Sequence, residues 1–258
     1  MLKVAITGKG GVGKTTLSAL LAHAYAERGQ KVLAIDADPA MGLASACGVP
    51  PEEAAAIIPV AEMEDLIYER TGARKGEIGG FFKLNPRVDD IPERFAVSQD
   101  GIRILTMGTV KAGGTGCLCP ENALLRSLVT HLLLRRDEVL ILDMEAGVEH
   151  LGRGTAATVD AFIVVVEPGL RSIQTAHSIY ELAKDLGIDR VYAVGNKVVD
   201  QSDEEFITAQ LPMFHILGFL PSDRQAIKAD RSGRAVFKLA PELVAVADSI
   251  AGSLLQPG

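Results

Sequence analysis

A chain of 258 residues, 48% of them hydrophobic, is long enough to bury a substantial core as one large domain or two small ones. Its 33 Asp and Glu outnumber 26 Lys and Arg, and the net charge of -7 removes any general attraction to nucleic acid phosphates. Three cysteines favour thiols or metal ligation over a disulfide framework, and without a secretory signal pattern the chain is expected in the cytoplasm.

The first apolar run, Lys3 to Thr7, reads as a strand buried on both faces. It leads into Gly8-Lys9-Gly10-Gly11-Val12-Gly13-Lys14-Thr15, the P-loop pattern, and then into the helical spacing of Leu17, Leu20, Leu21 and Ala24 before Gly29. A strand before and a helix after are the context this motif requires. Its glycines let the backbone curl so that successive N–H groups face phosphates, while the helix adds its positive N-terminal end. Lys14 is placed for the β and γ phosphates, and the Thr15 hydroxyl for Mg²⁺, which takes oxygen ligands. Lys9 is a second cation, surplus to a nucleotide already held by Lys14.

The second strand, Val32 to Asp36, ends in Asp36-Ala37-Asp38-Pro39, where two carboxylates can meet metal-bound or attacking water. Together, this tetrad and the run from Gly8 to Thr16, GKGGVGKTT, resemble the deviant Walker A ATPases, a family that includes MinD, ParA and the nitrogenase iron protein. The resemblance covers most of the chain and implies a MinD-like P-loop NTPase fold of the SIMIBI class, with ATP held by Gly8 through Thr16. It also implies a homodimer in which Lys9 crosses the two-fold interface to the partner's phosphates. On the same basis Asp36 belongs to the Mg²⁺ shell and Asp38 to the catalytic water, so that Lys9, Lys14 and Asp38 form the catalytic set.

Cys47, in Ala44-Ser45-Ala46-Cys47-Gly48, reads as a small buried residue. From Gly72 to Asp100 the periodic pattern fails at Gly76, Gly79, Gly80, Pro86 and Pro92, and the stretch is read as an irregular insertion in a single domain spanning 1–258. A strand run from Ile102 to Met107 precedes Cys117 and Cys119, which stand at the entrance of a helix spaced by Leu124, Leu125, Leu128 and Leu132. In an extended segment, positions i and i+2 project to one side, so both sulfurs can face one ion. The helix N-terminus favours thiolate. Two sulfurs are half of a tetrahedral site, and a two-fold dimer supplies the other half. Sulfur ligands suit Ni²⁺ and Zn²⁺ alike.

The run Glu138 to Asp143 is apolar and ends in an acid, the Walker B pattern, which sets Asp143 opposite Thr15 across magnesium. Asp143-Met144-Glu145-Ala146-Gly147 matches the second switch of the ATPases named above, and the resemblance gives the Gly147 N–H the task of sensing the γ-phosphate. Cys117-Leu118-Cys119 and the segment Asp143 to Thr155 resemble the CooC-type accessory ATPases of carbon monoxide dehydrogenase maturation. That resemblance implies nickel insertion, metal bound by paired cysteines in the dimer, and carbon monoxide dehydrogenase as the client. His150 reads as structural.

Strand runs recur at Phe162 to Val166, Val191 to Gly195 and Ile216 to Leu220, with the helical spacing of Ile173, Ile179, Leu182 and Leu186 between the first two. The alternation of strand and helix predicts an α/β fold, a mainly parallel β-sheet flanked by helices with its functional loops at the carboxyl ends of the strands. Asn196-Lys197-Val198-Val199-Asp200 sets its acid one position later than the guanine-reading Asn-Lys-any-Asp, which favours adenine. In the resembling ATPases the residues matching Asn196 and Pro221 contact the adenine ring. No apolar run approaches the ~20 residues of a membrane span. The tail from Leu243 to Gly258 has no Lys or Arg and one acid, Asp248, unlike the basic amphipathic helix of MinD-like membrane attachment. Neither membrane nor nucleic acid is therefore expected as a partner. The competing readings are a MinD- or ParA-like positioning or partition ATPase and an iron-sulfur scaffold ATPase.

Overall fold

Alternation within each apolar run divides the core in two. Val4 and Ile6 pack into one hydrophobic cluster with Ala34, Ile141, Ile163 and Val165, whereas Ala5 joins Leu33, Ile35, Leu142 and Val164 in the other. Strands whose successive side chains are buried on opposite faces need cover on both, and helices provide it. The computed structural model describes residues 2–74, 81–108, 119–135, 138–145 and 159–255.

The described strands are β1 (Lys3–Thr7), β2 (Val32–Ala37), β3 (Val97–Gln99), β4 (Ile102–Thr106), β5 (Val139–Met144), β6 (Ala161–Val166), β7 (Val191–Val198) and β8 (His215–Pro221). They form one sheet in the order β3-β4-β2-β5-β1-β6-β7-β8. Every neighbouring pair is parallel except β3 with β4, which is antiparallel. All seven apolar runs are strands, and the fold is the expected α/β one. The segment read as irregular from Gly72 to Asp100 departs from that reading at its end, where a helix (Ile91–Phe95) is followed by β3. Pro92, which reads as a breaker, sits in the first turn of that helix, where its missing N–H removes no intrahelical bond.

One face of the sheet carries the helix Lys14–Glu27 and, beside it, the C-terminal helix Pro241–Leu255, which also packs on β8; the other carries Pro120–Arg135, Leu170–Asp185 and Glu64–Thr71. The helix after the P-loop is buried nearly all round, with Leu17, Leu20, Leu21 and Tyr25 at 1% exposure or less. Its flank is closed by the C-terminal helix through Leu243, Ala247, Ile250 and Ala251, an i, i+4, i+7, i+8 stripe. Tyr25 Oη donates to the Ala251 carbonyl at 3.2 Å, and Arg28 both donates to the Asp248 carbonyl and pairs with its carboxylate at 2.8 Å. Among the described residues no helix is long and apolar enough to cross a membrane.

Candidate phosphate and cation site

Parallel strands deliver their following loops to a single rim, and the P-loop lies there after β1. Gly8 has φ +147°, and a Cβ at this position would strike the Val165 carbonyl oxygen on neighbouring β6. Gly13, the cap of the following helix, has φ +97°, and a Cβ there would strike the Asn196 amide. Both positions require glycine for conformation and for space.

The loop is gripped by its carbonyl groups. Asn196, at the end of β7, donates from Nδ2 to the Val12 carbonyl at 2.7 Å and accepts from the Lys197 N–H at 2.9 Å. Lys197, itself at φ +59°, donates from Nζ to the Gly11 carbonyl at 2.6 Å. Tying down the carbonyls is the polarity a phosphate cradle needs, because the N–H groups are the ones that meet the anion. Glu167, after β6, lies 3.1 Å from Lys197 Nζ and 3.8 Å from Lys9 Nζ, so one carboxylate holds two lysines beside the loop. Lys14 is buried, and its Nζ stands 3.7 Å from Asp38 Oδ2. The other Asp38 oxygen accepts from the Ala40 N–H at 2.9 Å.

The register of β2 with β5 sets Asp36 directly beside Asp143. Both are buried. Asp36 accepts the N–H groups of Asp38 at 3.2 Å and Leu43 at 2.9 Å, yet burial still pushes its pKa up to about 6. Asp143 is raised further, to about 7, first by burial and then by the Asp36 charge, and the nearby Thr15 and Ser18 hydroxyls pull it back without completing a hydrogen bond. The Ser18 hydroxyl donates instead to the Lys14 carbonyl at 2.9 Å. Among the described residues neither carboxylate oxygen of Asp143 has a hydrogen-bond partner. Two adjacent buried acids, Asp143 raised by the charge of Asp36 and with both its oxygens unmet among the described residues, suit a hard divalent cation, and with Thr15 they would hold Mg²⁺.

Beside these groups lies a cavity of about 510 Å³, within the range that accepts a nucleotide-sized ligand. Gly11, Gly13, Lys14, Thr15, Thr16 and Asp38 line one end, and Asn196 and Pro221 also face it. Its far side is built by Asp223, Ile227 and Arg234, where Asp223 caps the helix Arg224–Ser232 by accepting the Gln225 N–H at 2.7 Å. At the end of β5, Thr7 donates its hydroxyl to the Glu145 carbonyl at 2.8 Å, which links the segment after Asp143 to the strand that feeds the P-loop.

The sequence-predicted residues Gly8 to Thr16, Asp36, Asp38, Asp143, Asn196 and Pro221 thus gather on one rim, while Gly147 and Cys117 lie outside the described residues, as does His150. Cys119 is buried immediately before the helix Pro120–Arg135, and its carbonyl accepts the Ala123 N–H at 3.1 Å. Cys47 is fully buried, and burial, followed by the charges of Asp143, Asp36 and Asp100, pushes its thiol up to about 12, far from a ready thiolate. His23 stacks on Phe237 with ring centroids 4.1 Å apart, a packing role. Glu167 and Lys197 were not singled out by sequence patterns. Glu167 did carry one signal, since it ends an apolar strand run just as Asp143 does.

The family described as CbiA, the CobQ/CobB/MinD/ParA nucleotide binding domain, matches residues 3–236. The chain belongs to this family. As a member it is an ATPase, and its relatives are named accordingly. It is 48% identical over 255 residues, 99% of this chain and 97% of the other, to the carbon monoxide dehydrogenase accessory protein CooC of Rhodospirillum rubrum. An ATP-binding protein of Methanocaldococcus jannaschii is 44% identical, with 91% of each chain covered. The family fold is equally clear in solved structures. MinD in the MinC:MinD cell division complex of Aquifex aeolicus matches with a TM-score of 0.70 at 19% identity, covering 100% of this chain and 98% of the other. MinD of Pyrococcus horikoshii, solved with Mg-ADP, matches at 0.68 and 19% identity over 99% and 97% of the two chains.

Proposed function

We propose that this ATPase matures carbon monoxide dehydrogenase by delivering nickel to it, acting as an ATP-dependent homodimer that carries the ion between the Cys117 and Cys119 pairs of its two copies. The observation that carries this reading is the 48% identity along 99% of the chain to an accessory protein of that enzyme. The cysteine pair at the entrance of the helix Pro120–Arg135 adds the chemistry, since sulfur ligands suit Ni²⁺, with Zn²⁺ as the competing ion.

In this mechanism the N–H groups of Gly10 to Thr16 and the Lys14 ammonium bind the phosphates of ATP, and Asn196 and Pro221 flank the adenine. Thr15, Asp36 and Asp143 would hold Mg²⁺, which would supply positive charge beside the phosphoryl oxygens. Asp38 orients the attacking water. Lys9 leaves Glu167 and reaches the phosphates of the partner copy, so that the triphosphate helps to join the two subunits. The segment from Asp143 to Gly147 reads the γ-phosphate, and its tie to Thr7 passes the state of the nucleotide to the strand ends. Cys119 is buried in the single chain, so sharing an ion across a dimer requires the helix entrance to move. Hydrolysis resets that movement and releases the ion to the client. The C-terminal helix weighs against membrane positioning of the MinD kind, because its apolar stripe is already spent on the core.

Equilibrium dialysis of the ATP-loaded protein against Ni²⁺ tests the site. About one ion per dimer is expected, as four sulfurs complete one coordination shell, and the double variant Cys117→Ser with Cys119→Ser should bind none. Unchanged stoichiometry in the double variant removes the site. A client-side assay follows the same pair: carbon monoxide dehydrogenase produced beside the double variant should remain nickel-poor.

A further inference from the structure

Away from the phosphate rim, the segment Glu53 to Glu69 and the residues Arg94 to Val97 enclose an open groove of about 880 Å³. The groove is lined by apolar side chains, Ile57, Met63, Leu66 and Phe95, and Ile58 stands 59% exposed beside them. Carboxylates accompany them: Glu53, Glu62, Glu64, Asp65 and Glu69. Arg94, the cation in this lining, is already engaged by Asp90 at 3.2 Å and Glu69 at 3.8 Å. Glu69 also meets Arg70 at 3.2 Å, so the charge in excess along this lining is that of Glu53, Glu62, Glu64 and Asp65, all of one sign, whereas ordinary protein surfaces intersperse the two.

The groove is also preformed. Val60 and Ala61 are buried beneath it, and the Ala61 N–H donates to the Met107 carbonyl at 3.1 Å, while the Met107 N–H donates to the Asp36 carbonyl at 2.9 Å. A surface anchored to two sheet strands needs little ordering when something binds. The sign of its charge selects the occupant. Anionic bilayers and nucleic acid are repelled, and a second copy of this chain, at net charge -7, is a poor electrostatic match.

We propose that this groove docks a cationic amphipathic segment of a partner protein, with large apolar side chains on the groove's apolar lining and Lys or Arg against the surrounding carboxylates. The surface is separate from the cysteine pair and serves any client of the ATPase, so it stands or falls apart from the nickel reading. It follows the helix-in-groove mode, in which apolar anchors provide area and flanking charges provide register and selectivity.

The test uses the full chain and a dye-labelled peptide of ~14 residues, with leucines at i, i+3, i+4 and i+7 and lysines between them, beside a twin carrying glutamate for every lysine. Fluorescence polarisation should show the lysine peptide binding at least about tenfold more tightly than its twin, with the preference shrinking as salt rises. Glu64→Lys combined with Asp65→Lys should weaken that binding about tenfold, and Ile58→Ser severalfold, with ATP hydrolysis unaltered because all three side chains are exposed and outside the nucleotide site. Glu181→Lys with Asp185→Lys, an equal change of charge on an exposed face of another helix, should leave binding intact. Equal affinity for the two peptides, no effect of reversal at Glu64 and Asp65, or an equal effect at Glu181 and Asp185 overturns the proposal. So does a photo-crosslinker at position 58 that joins two copies of this chain, which would make the groove a self-interface.

Discussion

Asp143 and Asp36 dominate the energetics of the site at the residue scale. Both hold their protons more tightly in the folded chain than unfolded, at about 7 and about 6 against an ordinary 3.8. The sign follows from linkage: without a cation, their contribution is most favourable below pH 4 and is lost as pH rises through 6 and 7. A three-unit rise corresponds to about 4 kcal/mol as an upper bound, and relaxation of the site on substitution leaves a smaller gain of about 2 kcal/mol. Asp143→Asn is therefore expected to raise the melting temperature of the nucleotide-free protein by about 4 °C at pH 8 and by about a third of that at pH 5, while abolishing hydrolysis; thermal melts at the two pH values check it. In the unsubstituted protein, Mg·ATP should stabilise more at pH 8 than at pH 5. Asn196 gives a second expectation. Its amide grips the Val12 carbonyl as well as facing the cavity, so Asn196→Ala should weaken ATP and GTP together, by about tenfold or more, as measured with fluorescent nucleotide analogues. A loss confined to ATP would make Asn196 a base reader alone. Lys14, Thr15 and Asp143 were legible in the sequence because short local spacings specify them, and Asp36 through the family resemblance of its tetrad. Lys197 on the Gly11 carbonyl was not, since the two are 186 positions apart and only the sheet brings them together.

Elements were legible to the extent that they were long and apolar. The seven Val- and Ile-rich runs are strands because most side chains along them find cover on one sheet face or the other, fully in the central strands and partly in the edge strand β8. β3 escaped that logic: Val97-Ser98-Gln99 is three residues at a sheet edge, with a single apolar side chain and no need for cover on both sides. The helix Ile91–Phe95 escaped it for a different reason, because a proline marks both breaks and first turns, and only position tells them apart. The C-terminal helix carries the test at this scale. Ile250 is fully buried, packed on Gly218 of β8 in the core cluster shared with the P-loop helix, so Ile250→Ala should cost about 3 kcal/mol in urea unfolding. The same variant should bind ATP with little change, because no residue of the nucleotide cavity but Leu243 comes from that helix.

Across the whole molecule, the decisive quantity is mass as a function of nucleotide. Lys9 is 36% exposed and rests on Glu167, a weak contact for a surface pair, so little opposes its transfer to a second chain. Sedimentation of a hydrolysis-deficient Asp38→Ala variant with Mg·ATP should give twice the mass of the nucleotide-free chain, and adding Lys9→Ala should return it to a single copy. The Cys117 and Gly147 expectations belong to segments outside the described residues, where local pattern and resemblance alone speak. The two borders of the sheet bear on what kind of assembly can form. One margin ends in a three-residue antiparallel strip and the other in a strand whose pairing slips twice, so neither offers a long, straight template for ladder growth from chain to chain. Ladder extension from either border is thereby disfavoured, which leaves surfaces other than the sheet margins for any contact between copies.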